Sequence, residues 1–256
     1  MKKSRLGQNF LFDPSIARRI VDSAGINHDD TVVEIGPGYG TMTRILAEKV
    51  RRLIAIEFDT KLYQKLSDEL RPFRNTELVN RDVMKYDFSV LGPFKVVANI
   101  PYYITTPIIF KLIDEGKHLR AMTLTIQKEV AERIVADPGG KEYGVLSLMV
   151  QYYGNAKILF QIPARAFTPR PKVDSAVIRI ERHSEPPVEL RDSDIFRRII
   201  KTAFAGRRKM IGNTLKILYP DIRSVLDAGA IDPKRRPETL TMAEFAAIAN
   251  RISVSE

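Results

Sequence analysis

A doubly wound α/β sheet followed by a small all-helical domain is the fold class this 256-residue sequence predicts. Three observations carry it. Five strand-like runs alternate with helical stretches between residues 31 and 126. The first of those runs ends in a Gly-rich turn. Beyond residue 190 the chain reads as helical and shows no strand pattern. Alternation of this kind argues for a parallel sheet covered by helices on both faces.

In chain order, Ile16, Ala17, Ile20, Val21 and Ala24 recur at helical spacing, with Asp13 placed to cap and Pro14 just inside, which predicts a helix over about 14–25. TVVEIG at 31–36 is a strand running into the turn, and Thr41 to Lys49 is helical. RLIAIE at 52–57 is the second strand, followed by a helix from Lys61 to Leu70. TELVN at 76–80 and FKVVAN at 94–99 are the third and fourth strands. A helix follows Pro107, and AMTLTI at 121–126 is the fifth strand. After residue 140 the pattern changes. AKILFQI at 156–162 and SAVIRIE at 175–181 have only a Pro-rich loop between them, so they suit a hairpin-like pair, not a crossover. HSEPPVEL at 183–190 reads as a linker. The expected division is a first domain over 1–183 and a helical domain over 188–256.

Bulk properties narrow the chemistry. With no Cys and only His28, His118 and His183, disulfides are excluded and no metal site is expected. No apolar stretch follows the N-terminal lysines, and no run is long enough to span a membrane, so a soluble intracellular protein is expected. The net charge of +10 favours a polyanionic partner, either nucleic acid or an anionic membrane surface.

Two loops carry chemistry. EIGPGYG at 34–40 follows a strand and precedes a helix, and Gly36, Gly38 and Gly40 let the backbone approach a ligand closely. The G-x-G-x-x-G nicotinamide fingerprint would need glycine at 41, where Thr41 stands. Glu57, at the next strand end, is placed to bind both hydroxyls of a ribose, and Asp82 follows the third strand on the same edge. Asn99-Ile100-Pro101-Tyr102 closes the fourth strand. It has the form seen in enzymes that methylate the exocyclic amine of adenine, whose lone pair is delocalised into the ring. The Asn99 side-chain carbonyl and the Ile100 backbone carbonyl can accept its two N–H bonds, and both bonds strengthen as the nitrogen becomes positive. Pro101 stiffens the turn, and Tyr102 offers a face on which a flipped base stacks. In FTPRPKVDS at 167–175, Phe167 is a candidate to close over the opposite face, or else a core residue beside a Pro-rich turn.

A third feature is electrostatic. RRIIKTAFAGRRK, from Arg197 to Lys209, holds six basic residues and no acidic one. Arg197, Arg198, Lys201, Arg207, Arg208 and Lys209 are candidate phosphate contacts, with a solvated helix face as the plainer reading. Lys2, Lys3 and Arg5 form a weaker basic arm.

Taken with GQNFL at 7–11, TAFAGRRKMIGNTL at 202–215 and RPETLTMAEF at 236–245, these motifs resemble, nearly end to end, the KsgA-type ribosomal RNA adenine dimethyltransferases. The resemblance implies a Rossmann-like class I methyltransferase sheet and S-adenosylmethionine as methyl donor. It implies that Asn9, Leu11, Gly36, Glu57, Asp82 and Asn99 contact the donor, and that Asn99, Tyr102 and Phe167 hold the adenine. The implied target is two adjacent adenines in a hairpin loop near the 3' end of small-subunit rRNA, within a pre-assembled small subunit. A cytoplasmic monomer that touches no membrane is the expected state. Erm-type enzymes, which share the NIPY motif but modify large-subunit rRNA and confer macrolide resistance, are the nearest alternative. A mainly non-catalytic assembly or transcription factor is the alternative from another class.

Overall fold

The computed structural model describes residues 8–206 and 209–253. The chain divides into two compact units, one of residues 1–131 with 156–182, the other of residues 132–155 with 183–256.

The first unit begins with β1 (Phe10–Leu11) and α1 (Pro14–Ser23). The Asp13 side chain accepts the Ser15 N–H at 2.8 Å, as its cap position predicts, and Ala17, Ile20 and Val21 form the buried face. The helix stops two residues before its expected end, and Gly25 follows at φ +58°. Next come β2 (Thr31–Ile35), α2 (Thr41–Lys49), β3 (Arg52–Glu57), α3 (Thr60–Leu70), β4 (Thr76–Asn80) and β5 (Phe94–Asn99). A short 3-10 turn over Tyr102–Ile104 leads into α4 (Thr105–Glu115). This helix starts before Pro107, because proline is tolerated in a first turn where its missing N–H has no helical partner. β6 (Leu119–Gln127) completes the parallel run.

The main sheet has strand order β4-β3-β2-β5-β6, extended by β9 (Ser175–Arg182) and then β7 (Gly154–Ile162). The first five strands pair in parallel, whereas β9 runs antiparallel to β6, from Gln127↔Ser175 to Ala121↔Glu181. The expected neighbours β7 and β9 thus lie side by side at one end of the sheet. Val32, Val33, Leu53, Ile54, Val96 and Val97 are all buried, which is why the central strands read as continuous apolar runs. The chain leaves β2 towards β3 on one side, and β5 lies on the other. That reversal opens a crevice at the carboxyl ends of these strands.

A second sheet was not expected. β1 pairs antiparallel with β8 (Phe167–Thr168), through Leu11↔Phe167 and Phe10↔Thr168. Two residues are too few to show a period of two, so no sequence pattern could announce it.

In the second unit, α5 (Lys128–Ile134) contributes its last residues and α6 (Val145–Tyr153) lies wholly within it. Then come α7 (Ser193–Ala205), α8 (Ile211–Leu215), α9 (Ile222–Ala228) and α10 (Met242–Ile252). The expected division at 183–188 is therefore incomplete, because residues 132–155 belong with the helices that follow the linker. The reason is packing. Tyr143 meets Phe204 edge-on at 6.1 Å between centroids, and Tyr152 lies 5.4 Å from Phe196. The Gly139 N–H also donates to the Glu238 carbonyl at 2.7 Å. The Thr241–Glu244 capping box starts α10, and Arg235 forms an ion pair with the same Glu244. Among the described residues, no helix is long and apolar enough to cross a membrane.

Candidate active site

The Gly-rich turn between β2 and α2 holds Gly36, Gly38 and Gly40 at φ of +70°, +59° and +75°. This left-handed region favours glycine. At Gly36 the requirement is conformational, since an added Cβ would meet nothing nearer than the Asn99 carbonyl oxygen at 3.9 Å. At Gly38 space matters too, because a Cβ would come within 3.0 Å of the Phe10 ring.

Glu57 ends β3 with 1% of its surface exposed. Its Oε2 accepts the Gly38 N–H at 3.0 Å and its Oε1 accepts the Asp59 N–H at 2.8 Å. Burial pushes its carboxyl up, and the two amide donors draw it back towards the charged form. Each oxygen keeps further lone-pair capacity, so the carboxylate braces the Gly-rich turn and can still receive hydroxyls. Asp82 follows β4 and accepts the Met84 N–H at 2.9 Å through one oxygen.

Gly36, Glu57 and Asp82 line one cavity of about 300 Å³, together with Ile35, Ile56 and Val83. Its largely apolar walls with two carboxyl groups are a lining of the kind that suits a nucleoside. Asn9 lines a smaller cavity with Asn99 and Tyr102, and Leu11 lines another with Gly36 and Asn99. All six residues expected to contact the donor thus border neighbouring cavities that share Gly36. A buried carboxylate beside a left-handed glycine turn fits S-adenosylmethionine.

Asn99 sits at the end of β5, where the Ile100 N–H donates to the Thr125 carbonyl at 3.1 Å. Its side-chain Nδ2 donates to the Asn9 carbonyl at 3.0 Å, across 90 residues of sequence. That bond fixes the amide plane and leaves Oδ1 as an acceptor of set direction. Tyr102 is held through its hydroxyl, 2.6 Å from the Ser175 Oγ. Burial raises its phenol above the ordinary value, so the ring is neutral at physiological pH. Ser175 was not singled out from the sequence. Its only signal there was its place at the end of the FTPRPKVDS motif.

Phe167 takes the core position that was the other reading of its motif. It is 2% exposed and packs in a core cluster with Leu11, Ile20, Met42 and Ile162. The backbone of β8 is tied to β1, and the buried ring anchors that pairing. Of the candidates for the adenine site, the structure therefore brings Asn99 and Tyr102 together and places Phe167 beneath the surface.

The basic run falls on α7 and just after it. Ile195, Phe196, Ile199, Ile200, Ala203 and Phe204 are buried, whereas Arg198, Lys201 and Lys209 are exposed and Arg197 is half-buried. Arg198 donates to the Tyr219 hydroxyl at 2.5 Å. Arg207 and Arg208, like Lys2, Lys3 and Arg5, lie outside the described residues. Among the described residues, no group of three or more His, Asp or Glu side chains could hold a metal ion.

Comparison with known proteins places this geometry. The family model described as ribosomal RNA adenine dimethylase matches residues 1–253. The chain is 44% identical over 265 residues to the ribosomal RNA small subunit methyltransferase A of Geobacillus thermodenitrificans, covering 98% of this chain and 90% of that one. It is 46% identical over 254 residues to the protein of the same name from Clostridium botulinum, covering 96% and 92%. A dimethyladenosine transferase from Plasmodium falciparum has the same fold, with a TM-score of 0.81 at 24% identity over 96% of this chain and 98% of its own. The 23S rRNA methyltransferase ErmE aligns with a TM-score of 0.77 at 28% identity, over 96% and 100%. This chain belongs to the ribosomal RNA adenine dimethylase family, whose members methylate adenines of rRNA with S-adenosylmethionine.

Proposed function

We propose that this protein dimethylates two adjacent adenines in the 3'-terminal hairpin loop of small-subunit rRNA, acting on a pre-assembled subunit as a cytoplasmic monomer. The single observation that supports the site assignment is the Asn99–Asn9 bond, which holds the Asn99 amide at a cavity that Gly36 and Tyr102 also line. When bound, S-adenosylmethionine supplies an electrophilic methyl group on sulfur. The protein positions the nucleophile. The Asn99 Oδ1 accepts one N–H of the adenine amine and the Ile100 carbonyl accepts the other, which turns the nitrogen lone pair towards the methyl. As the N–C bond forms and the donor's C–S bond breaks, its electron pair staying on the departing thioether, the nitrogen gains positive charge, and both acceptors bind it more tightly than they bind the neutral amine. The methylated nitrogen then gives a proton to water, which restores a neutral amine for the second transfer. Tyr102, fixed by Ser175, supplies the face on which the extruded base stacks.

Asn9, Leu11, Gly36, Glu57, Asp82 and Asn99 hold the donor. Arg197, Arg198, Lys201 and Lys209, with Arg207 and Arg208 in the same run, hold RNA phosphates on the second unit. The small-subunit target is favoured because relatives carrying that name are 44–46% identical, against 28% for the 23S enzyme. The test is methyl transfer from labelled donor to unmethylated small and large subunits in parallel. Label on adenines at the small-subunit rRNA 3' end supports the assignment. Label confined to the large subunit would transfer it to the Erm-type reaction.

A further inference from the structure

Phe12 follows β1 with 48% of its surface exposed, and Tyr39, in the Gly-rich turn, is 37% exposed. Their ring centroids lie 5.3 Å apart. Phe10 stands edge-on to Tyr39 at 4.9 Å and lies 6.3 Å from Phe12. Large apolar rings left half in water at a loop need a reason, and here the cluster is braced. Phe10 sits in the β1–β8 pairing. Both terminal nitrogens of the Arg44 guanidinium donate to the Tyr39 carbonyl, at 3.2 and 3.1 Å, and Arg44 is held in turn by Glu69 at 3.0 Å. The Lys65 ammonium lies 5.1 Å from the Tyr39 ring centre, so positive charge accompanies the aromatic surface. Phe10 and Tyr39 also line the cavity that reaches Gly36 and Asn99, which sets the cluster beside the reacting centre.

We propose that Phe12, backed by Tyr39 and Phe10, is a stacking platform for the nucleobase next to the target adenine, with Lys65 meeting the adjoining phosphate. This rests on the RNA-adenine reading above. Extruding one adenine from a loop removes the stacking partner of its neighbour, and a flat aromatic face replaces that contact for any base. The mixture of ring faces and ammonium suits a single-stranded nucleotide, which offers a π face and an anion within one residue.

The test compares wild type with F12A, F12L and F12W. Leucine keeps the apolar volume without a flat face, so F12L stays informative if F12A melts early. Donor affinity is read by calorimetry, and affinity for unmethylated small ribosomal subunits by filter binding. F12A and F12L should bind subunits roughly tenfold more weakly, with donor affinity unchanged, and F12W should restore binding. Subunit affinity unchanged in F12L overturns the proposal. So does a fall in donor affinity that matches the fall in subunit affinity, which would make the cluster a cover for the donor. Failure of the wild type to methylate subunits would instead strike the reading beneath it.

Discussion

The Glu34 carboxyl lies on β2 with none of its surface exposed, and neither oxygen has a hydrogen-bond partner among the described residues. The Thr43 hydroxyl is likewise buried and unpartnered, so the two do not form a bond of good geometry. Burial pushes Glu34 up to about 8, with the nearby charge of Glu57 adding to the effect. Glu34 is therefore mostly a neutral acid at physiological pH. In the unfolded chain it ionises near 4.5, whereas the folded protein keeps the proton until about 8. Its contribution is thus fully present below 4.5 and is lost as pH rises towards 8. The melting temperature of wild type minus that of Glu34→Gln should fall between pH 5 and pH 8 by several degrees, at about 2–4 °C per kcal/mol. A constant difference would mean that Glu34 is ionised when folded. At the same scale, Glu57→Ala should weaken donor binding in calorimetry, since it removes a charged acceptor and the brace on Gly38. That Gly36, Glu57, Asp82 and Asn99 gather at one edge of the sheet was legible in sequence, because residue type and position after a strand suffice to mark them. The Asn99–Asn9 bond and the orphaned state of Glu34 were not, because both depend on which residues the fold brings close.

Among the elements, the β1–β8 pair shows where local pattern fails. Leu11 and Phe167 lie 156 positions apart in sequence, yet their strands pair and their side chains share one core cluster. The aromatic signal in FTPRPKVDS was real, but sequence cannot distinguish a ring facing a base from one facing a core. Phe167→Ala should destabilise the protein by roughly 3–5 kcal/mol, while Phe167→Leu keeps turnover within a few-fold of wild type. A Phe167→Leu variant of normal stability and lost turnover would return the ring to the adenine site. α7 was easier to read, because an amphipathic helix announces both faces through its 3.6-residue period. Replacing Lys201 and Lys209 together by Gln should lower the slope of log affinity against log salt by roughly 1.4–1.8 if both meet phosphate. An unchanged slope would reduce the basic run to a solvated surface.

Over the whole molecule, a chain of net charge +10 divides into a unit built on a parallel sheet and a helical unit. The parallel run of five strands followed from alternation, and the pairing of β7 with β9 from the Pro-rich loop between them. The division between units did not, because residues 132–155 join the helical unit through Tyr143 and Tyr152, whose partners lie beyond the linker. Chain continuity says nothing about such contacts. The central claim is that the Asn99 site of this chain dimethylates small-subunit rRNA adenines, and single-turnover methyl transfer to unmethylated small subunits tests it most directly. Products should be read by mass spectrometry of the rRNA 3'-terminal fragment. Wild type should place two methyl groups on each of two adjacent adenines, and Asn99→Ala should react about 10²–10³-fold more slowly while still binding subunits. An Asn99→Ala variant that methylates the same adenines at the wild-type rate would contradict the account.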